Sequence, residues 1–293
     1  MRKKLKLLFI KNPIGLLSGV ILAVYILVAI FAPFIAPTPP YRDSYEIPRD
    51  GFAIAPKPPS ADHWFGTTEG QFDLFYGVIW GTRTAFKIAA VVVSAGFLLG
   101  VLIGGISGFA GGAVDEVMMR ITDIFLSFPF LLAAMVLATV LGRGLGSMMI
   151  ALVVFRWMTY ARLVRSEVLR LKQIAFIEAA HAIGASNLRI LLRHVLPNSV
   201  YPAMIQASMD IGRVVMSASA LSFLGLGTEA GYADWGQLIS LARNWIVGGG
   251  QGAFQYWYTV IFPGSVLFMF VLSWNILGDA LRDVFDPRMR GVH

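Results

Sequence analysis

Long uncharged apolar runs constrain this 293-residue chain more than any other feature of its sequence. Residues 14–35, 88–114 and 253–278 contain no Asp, Glu, Lys or Arg. A run of about 18 or more such residues predicts a membrane-spanning helix, because it is long enough to cross the hydrocarbon core of a bilayer. Apolar residues make up 57% of the chain and charged residues 14%, which excludes a disordered chain and argues against a water-soluble enzyme.

We predict six spans, and therefore an all-α membrane protein with six transmembrane helices. The spans cover, in order, residues 14–35, 88–114, 124–142, 144–164, 195–228 and 244–278, the last being apolar from about 253. The predicted divisions are a basic N-terminus with the first helix (1–36), an extracytoplasmic loop (37–82) and a five-helix core (83–293) whose long cytoplasmic loop covers 165–198.

The distribution of basic residues predicts the orientation. If both termini are cytoplasmic, the cytoplasmic segments carry 15 Lys and Arg residues and the external segments carry 5. Such an excess is typical of cytoplasmic loops, so we predict cytoplasmic N- and C-termini and attribute the net charge of +7 to these loops, not to nucleic-acid binding. The external loop is too long for a simple turn, and we expect it to pack on the external face or to contact a partner.

Glycines recur at every fourth position of the second predicted span. Glycines four residues apart form a ridge without side chains, along which another helix can approach backbone to backbone. We interpret this ridge as a helix-packing surface, the alternative being a direct role in transport. The ridge consists of Gly96, Gly100, Gly104, Gly108 and Gly112.

Two charged residues lie inside the fifth predicted span. Asp210 and Arg213 are three residues apart, so they share a helix face and can pair. Charges inside a span are costly and by default mark a transport pathway. A mutually satisfied pair, or two groups near the membrane edge, are the structural alternatives. A third charge, Arg156, is expected to extend toward the cytoplasmic interface.

No pattern in the sequence carries catalytic chemistry. The chain has no phosphate-binding GxxxxGK[ST] segment, no HExxH and no GxSxG, and it contains no cysteine. Its four histidines stand at no metal-binding spacing. We therefore predict no catalytic residue, no metal site and no cofactor in this chain, and no ATP hydrolysis of its own.

The long cytoplasmic loop contains two helical patterns separated by Gly184. We predict a helix over residues 165–183. Gly184 can end it, because glycine adopts the left-handed conformation common at helix C-termini. Ser186 can cap a second, short helix. A helix–glycine–helix elbow with apolar residues predicts a docking element that lies in a partner's groove. The alternative is an amphipathic helix on the membrane surface.

The sequence of this elbow resembles the cytoplasmic signature of the integral-membrane permease subunits of ATP-binding-cassette (ABC) importers. That signature reads Glu-Ala-Ala, three residues, Gly, nine residues, Ile, one residue and Leu-Pro. Glu178, Gly184 and Leu196-Pro197 stand at these spacings, and His194 at the Ile position is similar to the peptide and nickel branch. Further segments resemble the same branch, and the long external loop resembles its second permease type. These segments are residues 66–67, 81–83, 221–227, 235–236, 262–264 and 275–288.

The resemblance implies a permease of the type I importer fold in the cell membrane, which forms half of a translocation pathway. It implies as partners a second homologous permease, two ATPase subunits that bind ATP and Mg²⁺, and an extracytoplasmic substrate-binding protein. It also implies that the elbow docks on an ATPase subunit. The residues expected at that contact are Glu178, Ala179, Ala180, Gly184, Ala185, Ser186 and Arg189.

Two questions stay open at the level of sequence. The resemblance favours di- or oligopeptides as cargo, but members of the family also carry nickel, opines or oligosaccharides. A self-sufficient secondary transporter or channel is the alternative function, with Asp210 and Arg213 as ion or proton sites inside the membrane.

Overall fold

The computed structural model describes residues 13–40, 43–247 and 255–285. Within these ranges the regular structure is helical and β pairing is limited to isolated bridges, which confirms the predicted all-α class. The basic N-terminus before Pro13 and the C-terminal segment after Phe285 lie outside the described residues. The helices are α1 (Pro13–Ile35), α2 (Leu74–Ala110), α3 (Gly112–Leu126), α4 (Phe130–Leu141), α5 (Leu145–Val154), α6 (Trp157–Lys172), α7 (Ala175–Ala182), α8 (Asn187–Ile190), α9 (Leu196–Ser199), α10 (Tyr201–Phe223), α11 (Trp235–Val247) and α12 (Tyr258–Phe285), with a π-helical turn at Leu191–Val195 between α8 and α9.

The predicted count of six spans is not confirmed. By length and composition, four stretches of the described residues can cross a membrane, or five if the bent pair α3–α4 is one span. The four are α1, α2, the stretch Leu145–Lys172 that contains α5 and α6, and Tyr258–Ala280 within α12. Helix α10 is not among them, because polar residues such as Gln206, Asp210 and Arg213 interrupt its apolar sequence.

The third predicted span is bent instead of straight. Helices α3 and α4 meet at an angle of 88° across a break of a few residues. Pro129 occupies the N-cap of α4, and a proline inside a continuous helix would remove one hydrogen bond and clash with the preceding turn. The chain therefore stops α3 at Leu126 and restarts helix at Phe130.

Helix α1 is bonded to the rest of the bundle through its backbone. Pro33 lies inside α1 and has no N–H, so the carbonyl of Ala29, four residues earlier, has no donor within the helix. Arg83 of α2 replaces that donor: its Nε donates to the Ala29 carbonyl at 2.5 Å, and its guanidinium also reaches the Ile30 carbonyl at 3.2 Å. Tyr25 donates to the carbonyl of Val266 in α12 at 2.7 Å.

The segment between α1 and α2 packs on the helices at one end of the bundle. Ile47 and Phe72 are buried against Trp235 and Leu238. Helix α2 begins at Leu74, so the predicted loop end at residue 82 is too late. Asp73 starts the helix, because its carboxylate accepts the Tyr76 N–H at 2.7 Å and satisfies one free donor of the first turn.

Candidate functional site

Four of the five predicted ridge glycines lie against α6. A Cβ atom at Gly104 would overlap the backbone of Ala161, and one at Gly108 would come within 2.9 Å of Val168 Cβ. At Gly96 the nearest neighbour is Arg156 Cβ at 3.1 Å, while Gly100 lies against Tyr160 and the Trp157 carbonyl. The absence of side chains lets α2 and α6 pack backbone to backbone, as the spacing predicts.

The fifth glycine, Gly112, does not belong to this ridge. Helix α2 ends at Ala110, and the chain turns at Gly111, which has φ +67°. Gly112 itself has φ +55° and nothing within 4 Å of the position of a Cβ. Glycine at this position serves the turn into α3 and not the packing of helices.

A buried ionic cluster surrounds Asp210. The side chain of Asp210 has no exposed surface, and its carboxylate accepts from Tyr160 Oη at 2.8 Å and from Gln206 Nε2 at 2.9 Å. It also forms an ion pair with Arg156. Arg213 is more distant, with 3.7 Å between Nη1 and Asp210 Oδ1, and its side chain is 55% exposed.

Arg156 therefore does not extend toward an interface as expected. Its side chain is 14% exposed and reaches the carboxylate of α10. Arg156 lies in the short break between α5 and α6, where it is the residue before Trp157. The sequence places Asp210 and Arg213 on one helix face, but the main partner of Asp210 comes from another helix, and only the tertiary structure shows this.

The predicted elbow is present, with a different first helix. Instead of one helix over 165–183, α6 ends at Lys172 and α7 covers Ala175–Ala182. Gly184 has φ +81°, the left-handed conformation that turns the chain between α7 and α8. Ser186 occupies the N-cap of α8, although its hydroxyl makes no capping hydrogen bond.

One face of the elbow is fixed to the bundle. Ile177 and Ala180 are buried with Val164 and Val168 of α6 and with Ile190 of α8. Ala180 is 7% exposed, so it packs inward and is not a surface of contact for a partner, in contrast to the prediction. The elbow is thus held by its own apolar contacts.

Other apolar side chains of the elbow are exposed instead of buried against the bundle. Ile183 is 85% exposed and Leu188 65% exposed, next to the exposed polar side chains of Glu178 and Arg189. Of the other predicted contact residues, Ala179 and Ser186 are exposed and Ala185 is half-buried. We name this surface the elbow face; its residues are Phe176, Glu178, Ala179, Ile183, Gly184, Ser186, Leu188, Arg189 and Leu192.

At the opposite end of the bundle, Asp234 connects residues 221–227 with residues 235–236 through hydrogen bonds. Both segments carry the resemblance described above. Its carboxylate accepts from the Ser222 hydroxyl, from Thr228 Oγ1 at 3.2 Å and from the Gly236 N–H at 3.0 Å. Burial raises the pKa of Asp234, and these hydrogen bonds act against that rise. Sequence reasoning missed this residue, although an aspartate directly before a helix is a recognisable start signal.

His63 connects two parts of the segment between α1 and α2 through non-covalent contacts. His63 Nδ1 lies 2.6 Å from Asp73 Oδ2, and His63 Nε2 lies 3.1 Å from Asp50 Oδ2, which also pairs with Lys57. Burial alone would lower the pKa of His63, but the hydrogen bonds to the two carboxylates outweigh it and raise that pKa. Hydrogen bonds from Lys57 and His63 lower the pKa of Asp50. Over the described residues, no group of acidic and histidine side chains could hold a metal ion.

Two family descriptions match the chain. Residues 96–291 match the binding-protein-dependent transport system inner membrane component, and residues 7–59 match the N-terminal transmembrane domain of oligopeptide transport permease C. The elbow and the Asp210 cluster lie within the first match.

Similar proteins cover nearly the whole chain. The dipeptide transport system permease protein of Alkalihalophilus pseudofirmus is 36% identical over 96% of this chain and 88% of its own length. The oligopeptide transport system permease protein of Bacillus subtilis is 34% identical over 98% of this chain and 90% of its own length. A glutathione transport system permease protein of Escherichia coli is 36% identical over 97% and 89%.

The fold is also similar to a solved structure. A chain of the MetNI methionine ABC transporter in an inward-facing conformation superposes with a TM-score of 0.54 at 19% identity, over 73% of this chain and 98% of that one. At this identity the likeness concerns the fold alone. The family match and the relatives show that this chain belongs to the inner-membrane components of binding-protein-dependent transport systems. It is a membrane permease subunit of an ABC importer, in which ATP hydrolysis resides in a separate subunit.

Proposed function

We propose that this permease forms half of the translocation pathway for short peptides and receives the energy of ATP hydrolysis through the elbow face. Its partners in this proposal are a second permease, two ATPase subunits that hold ATP and Mg²⁺, and an extracytoplasmic substrate-binding protein.

The cargo proposal is supported by the relatives. Those named above are described as dipeptide, oligopeptide and glutathione transport permeases, each at 34–36% identity over nearly the full chain. Peptide bonds and terminal charges are common to these substrates. We therefore expect a small peptide to be transported.

The elbow face is the observation that carries the docking proposal. In water, clustered apolar side chains such as Ile183 and Leu188 are unfavourable unless a partner covers them. A short helix with apolar anchors suits a groove on another protein. Glu178 and Arg189 supply charges of both signs beside those anchors, which favours one docking orientation over others.

The buried face of the elbow connects a docked partner to the helices of the bundle. Ile177 and Ala180 pack on α6, so the elbow is bonded to the bundle and is not a loose loop. A displacement of the docked elbow would then move α6. Helix α6 in turn lies along the glycine ridge of α2 and would carry the movement into the membrane.

Co-purification tests the docking proposal. In Ile183→Asp, a charge replaces the most exposed anchor, and we expect the ATPase subunits recovered with the tagged permease to fall by about tenfold or more. The matched control is Ile54→Asp, because Ile54 is also exposed (69%) but lies at the other end of the bundle. Full recovery of ATPase subunits with Ile183→Asp would contradict the proposal.

Uptake tests the cargo. Vesicles containing the complete complex and its binding protein should accumulate a labelled dipeptide when ATP is supplied to the ATPase side. Accumulation of nickel or an oligosaccharide but of no peptide would contradict the cargo proposal and leave the docking proposal standing.

A further inference from the structure

The candidate span that leads to the elbow is interrupted within its length. Residues Leu145–Lys172 form one candidate span, yet α5 ends at Val154 and α6 begins at Trp157. A movement delivered to the end of α6 could be lost by bending at this break. For the movement to reach a neighbouring helix, a contact must hold the break to that helix.

Asp210 of α10 provides such a contact at the junction itself and one turn beyond it. Arg156, which lies in the break, pairs with its carboxylate, and Tyr160, one turn into α6, donates to the same carboxylate at 2.8 Å. A third donor, Gln206, comes from α10 itself and orients the carboxylate at 2.9 Å. The three donors satisfy a charge with no exposed surface, which would otherwise be costly inside the bundle.

The cluster joins two helices that have little other contact. Helix α6 packs most extensively on α2, along the glycine ridge, and far less on α10. Helix α10 packs on α12, α2 and α11, and its first residue, Tyr201, follows α9 almost directly in the chain. The buried carboxylate is a direct polar link between the elbow-bearing helix and the middle of α10, beside the contacts that both helices make with α2.

We propose that Asp210 is a positioning residue that holds the α5–α6 junction to α10, so that displacement of the elbow is transmitted to α10. This inference rests on the proposed docking of the elbow. It assigns the buried Asp210 to mechanical coupling and not to binding of an ion or of the substrate.

The first test compares variants in the purified complete complex. Asp210→Asn removes the charge at nearly constant shape, and Tyr160→Phe removes one hydrogen bond while the ion pair remains. We expect peptide transported per ATP hydrolysed to fall about tenfold in Asp210→Asn and less in Tyr160→Phe, which is within the usual range of coupling between sites. The control is Ser208→Ala, because the Ser208 hydroxyl bonds only within its own helix, to the Ile205 carbonyl at 2.7 Å.

A merely structural role gives a different result. In that case both variants would lose assembled complex, and the complex that remained would transport as much peptide per ATP as the unmodified one. That result would overturn the proposal.

A distance measurement separates this inference from the docking proposal. The chain has no cysteine, so spin labels can be attached to introduced cysteines without background labelling. One pair, Ala61→Cys with Gln173→Cys, reports the end of α6, and a second pair, Ala61→Cys with Met216→Cys, reports α10; all three positions are exposed. Both distances should change when ATP is trapped in the complex.

The outcomes are distinct. If the Gln173 distance does not change with ATP in the otherwise unmodified complex, the docking proposal fails. If the Gln173 distance changes and the Met216 distance follows equally in Asp210→Asn, docking stands and the role of Asp210 fails. The proposal expects Asp210→Asn to keep the first change and to lose most of the second.

Discussion

At the scale of single residues, glycine has two uses along α2: four glycines let α6 approach closely, and two form the turn after the helix. A four-residue repeat predicted the ridge, and Gly96, Gly100, Gly104 and Gly108 do lie against α6. The repeat could not predict that the helix ends at Ala110, because glycine occurs both in the ridge and in the turn at Gly111 and Gly112. Only their positive φ values separate the two uses.

Replacing a ridge glycine should separate the helices. A Cβ at Gly104 would overlap the Ala161 backbone, so we expect Gly104→Ala to lower the free energy of unfolding by about 1–3 kcal/mol. Thermal unfolding followed by tryptophan fluorescence in detergent measures this. Gly146→Ala is the control, since nothing lies within 4 Å of a Cβ there and the position is helical. An equal loss in both variants would contradict the packing role.

The two arginines near Asp210 should differ in importance. Arg156→Gln leaves a buried carboxylate without its main charge partner, and we expect a loss of about 3–5 kcal/mol in the free energy of unfolding. Arg213→Gln removes an exposed charge 3.7 Å away, and we expect less than about 1 kcal/mol. Urea titration of both variants in one detergent measures the difference. Similar losses would mean that Arg213 is the true partner, as helix spacing alone suggested.

At the scale of elements, composition predicted the apolar helices well and their interruptions poorly. Charge-free runs identified α1, α2 and the apolar part of α12, because length and hydropathy are local properties. The interruptions are the bend between α3 and α4 and the break at Phe155–Arg156. Pro129 is a local signal for the first, whereas no local signal in the sequence marks the second.

The elbow turn depends on the left-handed conformation of Gly184. Proline fixes φ near −65°, whereas Gly184 has φ +81°, so we expect Gly184→Pro to abolish peptide uptake while the protein still inserts into the membrane. Asparagine tolerates this conformation, so Gly184→Asn should retain most of the uptake. Uptake per quantity of complex in membrane vesicles measures both. Equal uptake by Gly184→Pro and the unmodified chain would exclude a requirement for this turn.

The segment between α1 and α2 should be pH-sensitive through His63. Because folding raises the pKa of His63, its stabilisation is complete below the unfolded value of about 6.5 and is lost as the pH rises through the folded value. The lowered pKa of Asp50 acts in the opposite sense: its contribution is present above about 3.9 and is lost as the pH falls through the folded value. The segment should therefore be most resistant to proteolysis between about pH 4 and 6.5.

Limited proteolysis at pH 6 and pH 8.5 checks this. The unmodified chain should be cut faster within residues 43–73 at the higher pH. His63→Asn should show little difference between the two. A pH dependence that persists in His63→Asn would assign the effect to other groups.

At the scale of the whole molecule, this chain is the membrane permease subunit of an importer whose energy comes from another subunit. The sequence contains no phosphate-binding loop, and the family places ATP hydrolysis in another subunit. The segment between α1 and α2 and the Asp234 junction lie at one end of the bundle, and the elbow face lies at the other. The family was recognisable from the sequence because its motifs are local, but the link from α6 to α10 required the fold.

This chain reconstituted alone in vesicles should therefore be inactive. We expect neither ATP hydrolysis nor peptide accumulation in vesicles that contain only this permease, with or without an ion gradient. Addition of the second permease, the ATPases and the binding protein should restore both. Gradient-driven uptake by the lone chain would instead favour the self-sufficient transporter with Asp210 and Arg213 as its ion sites.

The bond between Arg83 and the first helix has a consequence for how the protein is made. A newly synthesised α1 that enters the lipid alone has one carbonyl, that of Ala29, for which Pro33 leaves no donor. An unsatisfied backbone group in hydrocarbon costs several kcal/mol, so α1 is more stable at the translocon until α2 emerges with Arg83. We therefore expect the first two helices to leave the translocon together, as a hairpin, even though α1 is apolar enough to leave by itself.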